Sequence, residues 1–264
     1  MLKALARHSY WNAVATFAYQ GSTFLSNFLV IKLLDHASYG KFSLLNLTAF
    51  YAAAILQFAV GSTTSRFVAR YADKREQLLS VIGVCAAFSL ASGLLGFGIL
   101  IVGSGVLSAG VFAEPTLATP IAIVSLSLPS LVALVFLNGL LQGLHEFRTL
   151  AIASIASGLL FITVVGAGAW VGGLDGAIIG FAAGSTIRSL VVGATAIRQL
   201  RKSGLMFSWR TLLNGPIRRE LLSFQLPAGL AGCVTTPTLW LIPAILTRNT
   251  QNFGDVATYS VLLM

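Results

Sequence analysis

Charge is what this sequence lacks. Only 9% of its 264 residues are Asp, Glu, Lys or Arg, against about a quarter in soluble domains. A chain so poor in charge cannot cover itself with a water-facing surface. With 56% hydrophobic residues and a mean hydropathy of +0.85, its solvent is lipid. Cysteine is nearly absent: Cys85 and Cys233 both lie inside apolar runs, without disulfide or metal-ligand spacing, and are read as small lipid- or core-facing residues. The three histidines, His8, His36 and His145, fall at span ends or in loops on different connections and are read as solvated polar groups. There is no zinc-protease pattern, phosphate-cradling loop, cysteine pair or nucleophile elbow. The sequence is therefore not read as an enzyme, and no metal or cofactor is expected.

The charge that is present is mostly basic, for a net +9. It sits in short clusters between long apolar runs, with no continuous basic face, and so does not point to nucleic acid. Runs of spanning length, about 20 residues for a helix, fall at 10–34, 42–65, 78–102, 117–142, 149–172, 176–197 and 221–247. An eighth begins near Val256 and stops at Met264, so the chain is expected to be a fragment, or a truncated reading frame, of a longer protein. Lys3 and Arg7 precede the first run, which is too long for a secretory signal and is read as a span.

If each run crosses once, thirteen basic residues fall on the side of the N-terminus and three (Lys32, Lys41 and Arg248) on the other. By the positive-inside rule the N-terminus is cytoplasmic. The outer connections are short, such as Leu174-Asp175-Gly176. The longest connection, 198–220, carries Phe207, Trp209, Leu212 and Leu213 among basic residues and is expected to lie along the membrane surface. The fold class that follows is all-α: a polytopic transmembrane bundle, with one six-helix lobe over 1–205 and the start of a second lobe over 206–264.

The chemistry lies in polar groups inside the spans. Arg188 stands near the middle of the sixth, where an arginine costs about 2.5–3.5 kcal/mol on insertion scales. Gly176, Gly180, Gly184 and Arg188 step by four along one ridge. Glycine ridges admit a neighbouring helix, so Arg188 is expected to point into the bundle, as a cation for an anionic substrate or as a bridge to another helix. No span holds an obvious carboxylate partner. Thr16, Gln20, Thr23 and Asn27 form a polar stripe on the first span. Asn46 and Gln57 share a face of the second with Ala49 and Ala53, and Asn138 and Gln142 are four apart on the fourth. These faces either line a hydrated cavity or bond between helices. Arg66, Arg70 and Arg148, at cytoplasmic span ends, form a basic rim or serve topology alone. Pro227, Pro237 and Pro243 are expected to bend the seventh span.

Several stretches resemble the polysaccharide (O-antigen type) flippases. Leu34-Asp35-His36-Ala37-Ser38-Tyr39-Gly40-Lys41-Phe42 resembles the family's turn after the first span, and Arg66-Phe67-Val68-Ala69-Arg70-Tyr71 the arginine-bearing end of its second. Leu141-Gln142-Gly143 through Phe147-Arg148 is similar to the end of its fourth, Phe224-Gln225-Leu226-Pro227 to the opening of its seventh, and Gly254 to Tyr259 to the entry of its eighth. Their order and spacing over nearly the whole chain resemble the multidrug/oligosaccharidyl-lipid/polysaccharide (MOP) exporter superfamily. The resemblance implies two six-helix lobes around a central cavity and alternating access. It also implies a polyprenyl-diphosphate-linked oligosaccharide as cargo, carried to the outer leaflet of the cell (inner) membrane, with a polysaccharide polymerase or glycosyltransferases as protein partners. Two alternatives stay open at this point: a multidrug/cation antiporter of the same superfamily, disfavoured by the lack of intramembrane carboxylates, and a non-transporting membrane subunit.

Overall fold

A computed structural model describes residues 2–205, 215–250 and 253–262. The surface-lying stretch expected around Phe207, Trp209, Leu212 and Leu213 lies outside the described residues, as does the side chain of Cys233. The described residues are helical throughout their long segments: α1 (Leu2–Leu33), α2 (His36–Leu56), α3 (Val60–Arg70), α4 (Arg75–Val106), α5 (Ala118–Ser125), α6 (Ser127–Gly143), α7 (Phe147–Lys202), α8 (Gly215–Thr250) and α9 (Phe253–Leu262). The segments Arg75–Val111, Pro115–Gly143 and Phe147–Lys202 are each long and apolar enough to cross a membrane, and the bent pair α2–α3 makes a fourth. At 32 residues α1 is as long as α4, but its polar stripe dilutes its hydropathy. This is a multi-pass helical membrane protein.

Several expected spans differ from a plain helix. The second is broken, and α2 and α3 meet at 42°. The break has no glycine or proline. Phe58 and Ala59 instead adopt left-handed φ values of 40° and 55°, a conformation costing an L-residue roughly 1–2 kcal/mol. Packing holds it: a β-carbon at Gly229 of α8 would strike the Phe58 ring, so α8 closes on the break only because residue 229 is glycine. Gln57, expected on a continuous polar face, sits at the break as the C-terminal cap of α2. The fifth and sixth spans are the two arms of α7, helices that fold back on each other at Gly173 (φ 57°, ψ −134°). The turn therefore lies at Gly173, one residue before the expected loop, and Leu174-Asp175-Gly176 is already helical. In α8 all three prolines lie within a single assigned helix, Gly215–Thr250.

α1 packs along α7, α6 lies between α7 and the α3–α4 pair, α8 lies against α2 and α3, and α9 lies against α2. Two apolar cores result. One gathers Tyr39, Phe42, Leu44, Leu128 and Phe161 around Phe181. The other, toward the N-terminal end of α1, gathers Phe67, Val81, Leu140, Leu141 and Leu150, with Cys85 among them as a free, fully buried thiol.

The far end of the bundle is fastened by charge. The Asp35 carboxylate caps α2 by accepting the Ser38 N–H at 3.0 Å, and the Ser38 side chain, then this N–H, hold its carboxyl below the usual range. Lys41 donates to Glu114 at 3.3 Å and lies 4.9 Å above the Phe253 ring, tying α2 to the α4–α5 connection and to α9. The Thr116 hydroxyl and then Lys41 hold Glu114 below the ordinary glutamate value. A lowered folded value gives stability that is fully present above the unfolded value and is lost as pH falls through the folded one. Acid unfolding followed by circular dichroism should therefore show Glu114→Gln less stable than the parent at neutral pH. The difference should vanish once pH falls below the lowered Glu114 value.

Candidate functional site

Arg188 is delivered by the α7 hairpin. Its two arms, 147–172 and 174–202, run antiparallel in backbone contact. A β-carbon on Gly176 would fall onto the Gly168 carbonyl, one on Gly180 would lie 2.9 Å from the Val164 carbonyl oxygen, and one on Gly184 would lie 2.9 Å from the Phe161 ring. The expected glycine ridge is thus the hairpin's own seam. Arg188, one turn further on, points into the bundle and is 3% exposed.

Its guanidinium is held by hydroxyls and rings. Nη2 donates to Ser22 Oγ at 2.5 Å and Nη1 to Thr23 Oγ1 at 3.5 Å, both on α1. The Phe161 ring lies 4.1 Å away on one side and the Tyr19 ring 4.6 Å away. Each ring supplies about 0.5–2 kcal/mol of cation–π attraction. With the charge-assisted bond, that offsets the insertion cost of the arginine. The site therefore holds a guanidinium inside the bundle with its Nε buried and unpartnered among the described residues.

The polar face of α1 is shared among three helices. Near its start, Asn12 Oδ1 accepts from Gln142 Nε2 of α6 at 3.3 Å. In its middle, Ser22 and Thr23 hold Arg188 of α7. Toward its end, Asn27 Oδ1 accepts from Asn46 Nδ2 of α2 at 3.4 Å. Thr16 turns back onto the Asn12 carbonyl, and Gln20 is exposed, away from these contacts. Tyr19 also lines a cavity of about 340 Å³ with Ser62, Asn138 and Gln142. That cavity exists between α3 and α6 helices that touch at backbone level, since a β-carbon on Gly139 would collide with Gly61. Asn138 Oδ1 is buried there without a partner among the described residues, as is Asn46 Oδ1 in its own setting. Tyr19 therefore touches both the arginine and an amide-lined cavity. Asn138 and Gln142 reach that cavity, while Asn27 and Asn46 pair with each other elsewhere, and Gln57 belongs to the α2–α3 break.

The three rim arginines have different neighbours. Arg66 lies 4.6 Å over the Phe224 ring of α8. Arg70 donates to Glu220 at 2.6 Å, and Glu220 also accepts from the Tyr71 hydroxyl at 2.7 Å. That bond to Glu220 raises the Tyr71 phenol above its ordinary value. Arg66 and Arg70 thus join α3 to α8, while Arg148 lies 5.9 Å over Trp11 of α1. The sequence reading missed Asn12, Tyr19, Ser22 and Ser62. Tyr19 precedes Thr23 by one helical step, so the polar stripe itself contained the signal for it.

The profile describing the polysaccharide biosynthesis protein family matches residues 5–263. The chain belongs to that family. No curated protein gives a significant match, but the fold of this family member is shared with solved transporters. An inward-facing multidrug resistance MATE family transporter of the MOP superfamily superposes with a TM-score of 0.74 at 17% identity, over 92% of this chain and 56% of the other. A MOP superfamily transporter from Pyrococcus furiosus, described as having a binding pocket of reversed polarity, gives 0.71 at 19%, over 98% and 63%. The MATE multidrug transporter DinF-BH, solved as a complex, gives 0.75 at 16%, over 98% and 59%. The polysaccharide biosynthesis family chain thus spans about three-fifths of the length of these structures.

Proposed function

We propose that this chain is the first lobe, residues 1–205, and the beginning of the second lobe of a flippase. In this reading it moves a polyprenyl-diphosphate-linked oligosaccharide from the cytoplasmic to the outer leaflet of the cell membrane. The N-terminus is on the cytoplasmic side, and the lobes alternate access around the site described above. The observation that carries the reading is Arg188: a buried cation held by hydroxyls and aromatic faces, with no carboxylate to neutralise it among the described residues. A diphosphate needs such a cation to leave water, and the sugars need amides and hydroxyls such as Asn138, Gln142 and Ser62. Arg66 and Arg70 would be released toward the diphosphate when α3 parts from α8. An inside-negative potential assists outward movement of an anion by about 2.3 kcal/mol per charge per 100 mV.

The MATE neighbours support a second reading, export of an organic cation. A buried arginine repels such a cargo, which favours the anionic substrate. Deleting the gene in its own host separates the two. Under the flippase reading, lipid-linked oligosaccharide accumulates and surface polysaccharide is lost, with drug tolerance unchanged. Hypersensitivity to cationic dyes with intact surface polysaccharide would instead establish the antiporter.

A further inference from the structure

A second cavity, of about 440 Å³, opens at the N-terminal end of the bundle, between the start of α1 and the α6–α7 turn. Arg7, His8, Trp11, His145, Phe147 and Arg148 line it, with one carboxylate, Glu146. The rings form a cluster: His8 stacks on His145 at 5.9 Å and 17°, and Phe147 lies 5.1 Å from His8. Arg148 lies over Trp11. Among the described residues neither Arg7 nor Arg148 is in an ion pair. Glu146, in no ion pair with either, accepts at its Oε2 from Gln199 at 2.8 Å and from Thr149 at 2.9 Å, and its single charge offsets only one of the two guanidiniums. The first turn of α7 also begins here, and Glu146, its cap residue, makes no side-chain cap bond. The positive end of that helix therefore adds to the two guanidiniums.

The turn itself indicates that the histidine is wanted. The Glu146 N–H bonds to the Leu141 carbonyl and the His145 N–H to the Gln142 carbonyl, a Schellman closure of α6. His145 occupies its left-handed position with φ 58°, where glycine is the usual residue and a side chain costs energy. Stability alone would place glycine here. The imidazole instead aims into a cavity already lined by another imidazole and two guanidiniums.

We infer that the Arg7–His8–His145–Arg148 cavity binds a phosphate group at the membrane surface. The guanidiniums supply paired donors, the imidazoles supply directional N–H groups, and Trp11 and Phe147 supply a face for whatever carries the phosphate. The source is either a soluble phosphate or the phosphodiester of an anionic lipid headgroup. The site is separate from Arg188 and Tyr19 and does not depend on the transport reading, because binding here and export are measured independently.

Trp11 is the reporter. The component of tryptophan emission that disappears in Trp11→Phe is followed while inorganic phosphate is titrated onto the detergent-solubilised protein. It is followed again in nanodiscs of phosphatidylcholine with and without phosphatidylglycerol. A saturable change with inorganic phosphate supports the site and assigns a soluble ligand. A change seen only with phosphatidylglycerol supports it and assigns the headgroup. Arg148→Gln should weaken either response roughly tenfold, the scale of a lost charge-assisted hydrogen bond. His145→Gly should weaken it roughly threefold while keeping or improving the turn. The inference is overturned if neither probe changes the Trp11 signal, or if both variants respond as the parent does.

Discussion

If the chain serves the flippase proposed above, Arg188→Met should cut polysaccharide export while leaving the protein about as stable as the parent. The two effects separate because they come from different physics. The guanidinium's insertion cost of about 2.5–3.5 kcal/mol is offset by its ring contacts and its bond to Ser22, and a methionine, shorter but close in volume, gives up the cost and the contacts together. What the variant loses is the cation. Ser22 and Thr23 keep local acceptors, since Ser22 donates to the Tyr19 carbonyl at 2.8 Å and Thr23 to the same carbonyl at 3.1 Å. An anionic cargo loses its buried counter-charge, so export should fall by at least about tenfold, the equivalent of one charge-assisted hydrogen bond. The measurements are surface glycan in a host that depends on the protein, and thermal unfolding of the purified variant. If stability and export fell together, Arg188 would be a structural strut. If export were unchanged, it would have no role toward the substrate.

The second large effect is expected at the seam of the α7 hairpin. Gly176→Leu should prevent the two arms from closing. The new β-carbon meets the backbone carbonyl of Gly168 rather than the end of a flexible side chain, so no rotamer change relieves it. The cost should reach or exceed the ~3 kcal/mol upper end of ordinary overpacking, and the variant should fail to accumulate in the membrane. Gly172→Leu is the matched control. It lies four residues away, and nothing stands within 4 Å of its added β-carbon. Equal accumulation of the two variants, read by quantitative immunoblot of membranes, would show that the arms do not depend on this contact.

The positions of these two features were readable because both are local. A step of four residues puts Gly176, Gly180, Gly184 and Arg188 on one ridge whatever the tertiary fold, and the burial of Arg188 follows from what glycine ridges do. The partners of that arginine were not readable in the same way. Ser22 and Thr23 are more than 160 residues away along the chain, and hydroxyls and aromatic rings leave no charge pattern to search for. The same distance hid the pairing of Arg70 with Glu220 and the meeting of His8 with His145, whose connections look unrelated until α1 lies beside the α6–α7 turn. The break at Phe58 and Ala59 was hidden for another reason. It has none of the residues that ordinarily mark one, and is imposed by the fit of Phe58 against Gly229 on a helix more than 150 positions later.

The single-residue turn at Gly173 also bears on how the protein is made. Two spans joined so tightly are expected to enter the bilayer as one folded unit, with Phe161 across the seam from Gly184 and beside Arg188 as in the folded bundle. α1, carrying Ser22 and Tyr19, has been synthesised well before. On that route the guanidinium would arrive with one aromatic face covering it and a docking helix already made, so the arginine need never face hydrocarbon alone.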